Sequence, residues 1–150
     1  MPDQPPSVHR IRLAGPWVVE SDLEFQNPSC DTEKFCRVKM PASWQEIFGT
    51  QCGTAIFRRS FNSPTGLQNQ KVFLVIPVIN CTGQLCLNDQ FLGKLEDEIP
   101  STKEETGFEK RFEITQLIQP RNRINIELTC ASQAQPDCGL CTAIILEIAE

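Results

Sequence analysis

Gln84-Leu85-Cys86-Leu87-Asn88-Asp89-Gln90-Phe91-Leu92-Gly93 decides how the rest of the chain is read. Leu85 and Leu87 alternate with Gln84, Cys86 and Asn88, the period-two pattern of a strand with one buried face. Asn88-Asp89 supplies residues that tolerate tight-turn backbone angles, and Phe91-Leu92-Gly93 begins a returning strand, so the stretch predicts a β-hairpin. Upstream, Lys71-Val72-Phe73-Leu74-Val75-Ile76-Pro77-Val78-Ile79 is apolar on both parities and too short to span a bilayer. Downstream, Ile124, Ile126, Leu128 and Cys130 fall on one side of a strand, with Asn125, Glu127 and Thr129 on the other. Together these stretches predict the middle of an all-β, antiparallel β-sandwich.

The chain has 150 residues, enough for one domain with a real core. We read residues 1–9 as a Pro-rich, polar lead-in and residues 10–150 as a single sandwich. A hydrophobic content of 40% and a charged content of 22% are ordinary for a folded domain. The formal charge of −5 argues against nucleic acid as a partner, because phosphate-binding surfaces need clustered Lys and Arg. No apolar run approaches the roughly 20 residues of a membrane span. Met1-Pro2-Asp3-Gln4-Pro5-Pro6 lacks the basic and apolar regions of a signal peptide. That predicts a cytoplasmic protein, or a secreted one if the Met stands on a trimmed N-terminus.

Eight cysteines, at 30, 36, 52, 81, 86, 130, 138 and 141, pull the other way. They allow roughly a hundred pairings. Cys36 shares parity with Val38 and Met40, and Cys130 with Ile126 and Leu128, where buried thiols pack as small hydrophobes. We therefore expect mostly reduced cysteines.

Taken in order, Arg10 to Leu13, Trp17 to Glu20 and Cys36 to Met40 read as strands. Ser43-Trp44-Gln45-Glu46 fits a capping box before Ile47-Phe48, predicting one helical turn across an end of the sandwich. Thr54 to Phe61 alternates with Ala55, Phe57, Arg59 and Phe61 on one face. An arginine among phenylalanines is unexpected. A bulge turns it outward, its stem lies on the rings with the head in water, or a partly buried guanidinium meets a carboxylate or a ligand. Asn62 to Asn69, with Pro64 and Gly66, reads as a hairpin loop. Thr115 to Ile118 reads as a helical turn stopped by Pro120, and Thr142 to Ile148 as a last strand with Ile144, Leu146 and Ile148 on one face.

In this order the motifs resemble the N-terminal sugar-binding domain of family 2 glycoside hydrolases, the β-galactosidase and β-glucuronidase group. Leu13-Ala14-Gly15-Pro16-Trp17 is similar to the family's Leu-Asn-Gly-x-Trp, and Val38-Lys39-Met40-Pro41-Ala42-Ser43-Trp44 to its Val-x-x-Pro-x-x-Trp. Gly53 to Phe61 resembles Gly-x-x-Trp-Tyr-Arg-Arg-x-Phe, and Leu87 to Gly93 resembles Leu-Asn-Gly-x-x-x-Gly. Phe112-Glu113-Ile114-Thr115 with Asn122-Arg123-Ile124 is similar to Phe-Asp-Ile-Thr followed by Gly-x-Asn-x-Leu. Gly139 to Glu147 resembles Gly-Ile-Trp-Arg-Pro-Val-x-Leu. The resemblance covers residues 11–148 and implies a jelly roll of the galactose-binding-like fold.

It also implies an absence of catalysis. The family's catalytic glutamates lie in a later (β/α)₈ barrel, which takes about 250 residues, and this chain ends at Glu150. Cys141-Thr142-Ala143 replaces the Trp-Arg-Pro turn that faces the family's active site, and the usual Gly-Gly-Tyr after the second glycine is missing. Within the chain, glycoside hydrolysis would need two carboxyls held about 5 Å, or about 6.5–9.5 Å, apart. Glu96, Asp97, Glu98, Glu104 and Glu105 lie on one loop with no scaffold to hold such spacing, and they match no calcium loop. His9, the sole histidine, lies in the lead-in, away from any nucleophile. Cys138-Gly139-Leu140-Cys141 lacks the second C-x-x-C of a zinc site and the following helix of a redox pair. We expect no metal, no cofactor and no enzyme activity.

Two functions remain: a non-catalytic carbohydrate-binding module taking an oligosaccharide or glycoside, and a structural or protein-interaction domain with no sugar affinity. Jelly-roll modules bind sugar with loops or a concave face, using aromatic platforms and a few polar groups. Aromatic content is only 7% with no tyrosine. Polar residues near the expected barrel-facing end are the ligand-binding candidates: Gln51, Asp137 and Arg59.

Overall fold

The computed structural model describes residues 8–26, 35–40, 42–64, 69–79, 82–95, 107–130, 139–140 and 144–149. The early strands are β1 (Val8–Arg12), β2 (Gly15–Ser21), β3 (Phe35–Met40), β4 (Ala42–Ser43), β5 (Gly53–Asn62) and β6 (Lys71–Ile79). After them come β7 (Thr82–Leu87), β8 (Gln90–Leu95), β9 (Gly107–Glu113), β10 (Arg121–Cys130), β11 (Gly139–Leu140) and β12 (Ile145–Ala149). One short helix, α1 (Trp44–Phe48), follows β4.

All the paired strands are antiparallel, and they fall into two sheets. The first runs β3-β2-β5-β10-β7-β8. The second runs β1-β12-β6-β11-β4, with β9 along the other edge of β6. Alternation along β10 puts Ile124, Ile126 and Leu128 inward, where they are wholly buried with Phe57, Leu85 and Leu87 of the same sheet. Val72, Leu74 and Ile76 of β6, with Leu146 and Ile148 of β12, close the core from the facing sheet. Such burial is the main force holding the two layers together, at about 25 cal/mol per Å² of apolar surface removed from water. This is the all-β sandwich that the alternation predicts.

The deciding hairpin forms as read. Asn88 and Asp89 both take positive φ, 53° and 68°, the left-handed conformation of a tight two-residue hairpin turn. Trp17 and Trp44 are buried, their indole N–H groups donating to Leu13 O at 2.9 Å and Gln51 O at 2.8 Å. The capping box is complete: Ser43 Oγ accepts from Glu46 N at 3.1 Å, and Glu46 Oε1 accepts from Ser43 N at 2.9 Å.

Three expectations need correction. Val8 and His9 belong to β1, paired with Ala149 and Ile148, so the sandwich begins before residue 10. The segment after Asn62 is no hairpin loop, because β5 and β6 lie in different sheets. Pro and Gly signal a reversal but not which sheet the next strand joins. Cys36 is disulfide-bonded rather than a free thiol. Its partner lies outside the described residues, whose other cysteines, Cys52, Cys86 and Cys130, are in no disulfide. Inward parity and burial were read correctly, but they are shared by half-cystines and packed thiols. The acidic loop at 96–106 and the C-x-x-C sulfurs likewise lie outside the described residues.

Candidate functional site

The outward face of the first sheet carries the polar residues of β5 and β10 in register. Ser60 faces Arg123, Arg58 faces Asn125, and Asn62 faces Arg121. On the far side of β5, Arg58 is also opposite Val18 of β2. Two adjoining hollows share Ser60 and Arg123. The larger, about 460 Å³, is lined by Val18, Arg58, Arg59, Ser60 and Arg123. The smaller, about 260 Å³, continues past Arg121 to Asn88, Asp89, Gln119 and Asn122. Together they form an open groove across β5 and β10, ending at the β7–β8 turn.

The floor at the turn end is rigid. Asn122 is buried, and its carboxamide is fully engaged. Its Oδ1 accepts from Gln119 N at 2.8 Å and Asn88 Nδ2 at 3.1 Å, and its Nδ2 donates to Gln119 O at 2.8 Å. Asn88 Oδ1 accepts from Arg123 N at 2.9 Å. These bonds tie the hairpin tip to the start of β10, so the groups above them have a fixed base.

The groove is rich in cations. Arg58 Nη1 donates to Glu20 Oε1 at 2.6 Å, an ion pair with both side chains about one-third exposed. Arg121 and Arg123 are exposed, and neither forms an ion pair with the described residues. Beside them, Asn125 Oδ1 is buried without a hydrogen-bond partner among the described residues.

Arg59 is the partly buried guanidinium of the third expectation, but backbone carbonyls rather than a described carboxylate receive it. The pairing of β2 with β5 reaches Val18–Arg58 and stops there. At this point Arg59 Nε donates to Ala14 O at 3.1 Å, and its Nη1 donates to Ser60 O at 3.2 Å. The half-buried guanidinium thus caps backbone carbonyls where the ladder ends. Burial lowers its pKa from the usual arginine value, and no carboxylate among the described residues offsets that.

Gln51 stands apart from the groove. Its Oε1 accepts from Glu24 N at 3.0 Å, while its Nε2 donates to Glu24 O at 2.7 Å and Phe48 O at 2.8 Å. The amide clamps the segment after β2 onto the end of α1 and has little capacity left for a ligand. Asp137 lies outside the described residues. Of the two candidates among the described residues, Arg59 lines the groove and Gln51 does not. Arg121, Arg123 and Ser60 escaped the sequence reading. The signal for them was the alternation Arg121-x-Arg123 on the solvent parity of β10, which gains meaning only once β5 is known to be its neighbour.

No family model matches the chain, and no curated sequence is similar to it. Solved structures do match. The β-glucuronidase of Ruminococcus gnavus superposes with a TM-score of 0.69 at 17% identity, over 99% of this chain and 30% of that one. The β-glucuronidase of an uncultured Clostridium sp. gives 0.70 at 14% identity, over 99% and 30%. That of Faecalibacterium prausnitzii gives 0.69 at 15% identity, over 99% and 33%. The fold is one shared with β-glucuronidases. At these identities the likeness is one of fold, and the chain spans a third or less of the matched proteins' length. The sandwich thus corresponds to one portion of such an enzyme, and the described residues contain no (β/α)₈ barrel.

Proposed function

We propose that the chain is a non-catalytic carbohydrate-binding domain that takes a saccharide in the groove over β5 and β10. The observation that carries this is the groove's lining. A hydroxyl (Ser60), a carboxamide (Gln119) and guanidiniums (Arg58, Arg123) line the two adjoining hollows of one open groove built on a rigid sheet. These are donors and acceptors suited to sugar hydroxyls, and they sit on a scaffold that costs little ordering on binding. Sharing a fold with β-glucuronidases supports a sugar-related role. One of those proteins, from Ruminococcus gnavus, was solved in complex with uronic isofagomine. The disulfide at Cys36 supports residence in an oxidising compartment over the cytoplasm.

Calorimetric titration with galactose, glucuronic acid and short oligosaccharides tests the reading. Saturable binding at millimolar sugar or below, weakened by Ser60→Ala, is expected. No heat with any sugar would overturn it.

A second reading has its own observation. Val18 and Phe91 are exposed, 39% and 54%, on the same outward sheet face. Exposed apolar side chains of this size fit a protein-docking face without sugar affinity. Co-purification of a partner that is lost in Val18→Asp, with no sugar binding, would favour it.

A further inference from the structure

We infer that the groove selects acidic saccharides, its guanidiniums receiving a carboxylate or sulfate group on the sugar. The inference rests on the saccharide reading above and adds the chemical class of the ligand. The chain as a whole is acidic, with 19 Asp and Glu against 14 Lys and Arg. Yet four arginines, 58, 59, 121 and 123, line this one groove. Against them stand Glu20, already bonded to Arg58, and exposed Asp89 at the far end.

Register explains why the charges converge. Arg58 is opposite Asn125, two residues along β10 from Arg123, and both point outward. Such diagonal neighbours lie about 7–8 Å apart, within reach of a single anionic group for two long side chains. Arg121 follows two residues further on the same face. Like charges gathered at this spacing repel one another and raise the energy of the empty groove, and a bound anion relieves that repulsion. Arg59 adds a partly desolvated cation, two of whose N–H groups are held by the Ala14 and Ser60 carbonyls and which no carboxylate among the described residues neutralises. Guanidinium also presents paired N–H donors that match both oxygens of a carboxylate or sulfate. Carboxylate and sulfate share this chemistry, and direct comparison tells them apart.

Affinity electrophoresis of the intact chain provides the test, with polygalacturonate, dextran sulfate, neutral galactan and inorganic polyphosphate as probes. We expect retention by at least one acidic polysaccharide, about tenfold tighter than by galactan and weakened by added salt. The tighter of the two acidic probes identifies the preferred group. Arg121→Gln and Arg123→Gln should each weaken retention about tenfold. Both side chains are exposed, and the Arg123 backbone bond to Asn88 survives substitution, so the fold is kept. Lys71→Gln, exposed on the other sheet, should leave retention unchanged.

Galactan retained as tightly as polygalacturonate would overturn acid selection while leaving saccharide binding intact. Polyphosphate retained as tightly as both acidic polysaccharides would keep an anion site but remove the saccharide. No retention by any probe would remove both readings. Equal losses in Lys71→Gln and Arg123→Gln would show unspecific charge attraction and overturn the inference.

Discussion

The carboxamides of Asn88 and Asn122 are bonded to each other, Nδ2 to Oδ1 at 3.1 Å, joining the tip of the β7–β8 hairpin to the start of β10. The same Asn122 oxygen receives the Gln119 N–H, so one buried amide organises three segments that meet at the groove. Asn122→Ala removes a buried carboxamide and its bonds to Asn88 and to the N–H and C=O of Gln119, an exposed residue that water partly re-pairs, so each lost bond costs about 0.5–1.5 kcal/mol. We expect urea unfolding to show a loss of about 2–3 kcal/mol. An Asn122→Ala protein as stable as the parent would show that the amide organises nothing.

Glu147 lies on the outward face of the second sheet but is only 6% exposed. Its Oε1 accepts from Arg111 and its Oε2 from Arg10 Nε at 3.0 Å, so the carboxylate ties β1 and β9 across β12 and β6. Arg111 also stacks 4.2 Å from the centre of the Phe73 ring. The Arg111 hydrogen bond, with help from Arg10, holds the carboxyl below its usual value, opposed by partial desolvation. A depressed folded-state pKa adds stability that is present above the ordinary carboxylate range and is lost as pH falls through the folded value. Glu147→Gln should therefore cost about 1–2 kcal/mol at neutral pH. That difference should shrink below about pH 4 as the parent protonates. A penalty independent of pH would assign the effect to packing alone.

Much of the sandwich was legible because it rests on parity. The inward sets of β5, β7, β10 and β12 are those the alternation selects, and the capping box and hairpin turn follow from local chemistry. What parity could not carry depends on neighbours. The apolar run of β6 on both faces makes sense once Phe73 lies beneath Arg111 and Val75 is buried on the outer side. Arg59 on a phenylalanine face is accounted for by the end of the β2–β5 ladder, which no local pattern marks. Gln51 has the composition of a polar loop group for a ligand, but the nearby chain absorbs its amide. The arginine groove needs residues 58 and 123 side by side, and a separation of that size in sequence leaves no local trace.

Gln51 gives a direct contrast between support and binding. Gln51→Ala removes three bonds that secure Glu24 and Phe48. Those at the exposed segment re-form with water, so a loss of about 1–2 kcal/mol in stability is expected. Because the amide lies away from the Ser60–Arg123 groove, affinity for the best saccharide should stay within about twofold of the parent. Lost affinity with unchanged stability would return Gln51 to the ligand site.

Gly83 is the tightest approach of backbone to backbone around the deciding hairpin. It pairs with Leu128, and a Cβ built on it would lie 1.9 Å from the carbonyl oxygen of Glu127. No rotamer change relieves a clash with main chain, so β7 must move away from β10 or the ladder must deform. Gly83→Ala should then cost about 1–3 kcal/mol, the usual range for overpacking a fitted interior. The strain falls between β7 and β10, the two strands that carry the Asn88 and Arg123 ends of the groove. Hydrogen exchange should therefore rise first at the amides of 82–87 and 124–129. Unchanged stability, or faster exchange confined to the second sheet, would show that β7 and β10 are not held in this register.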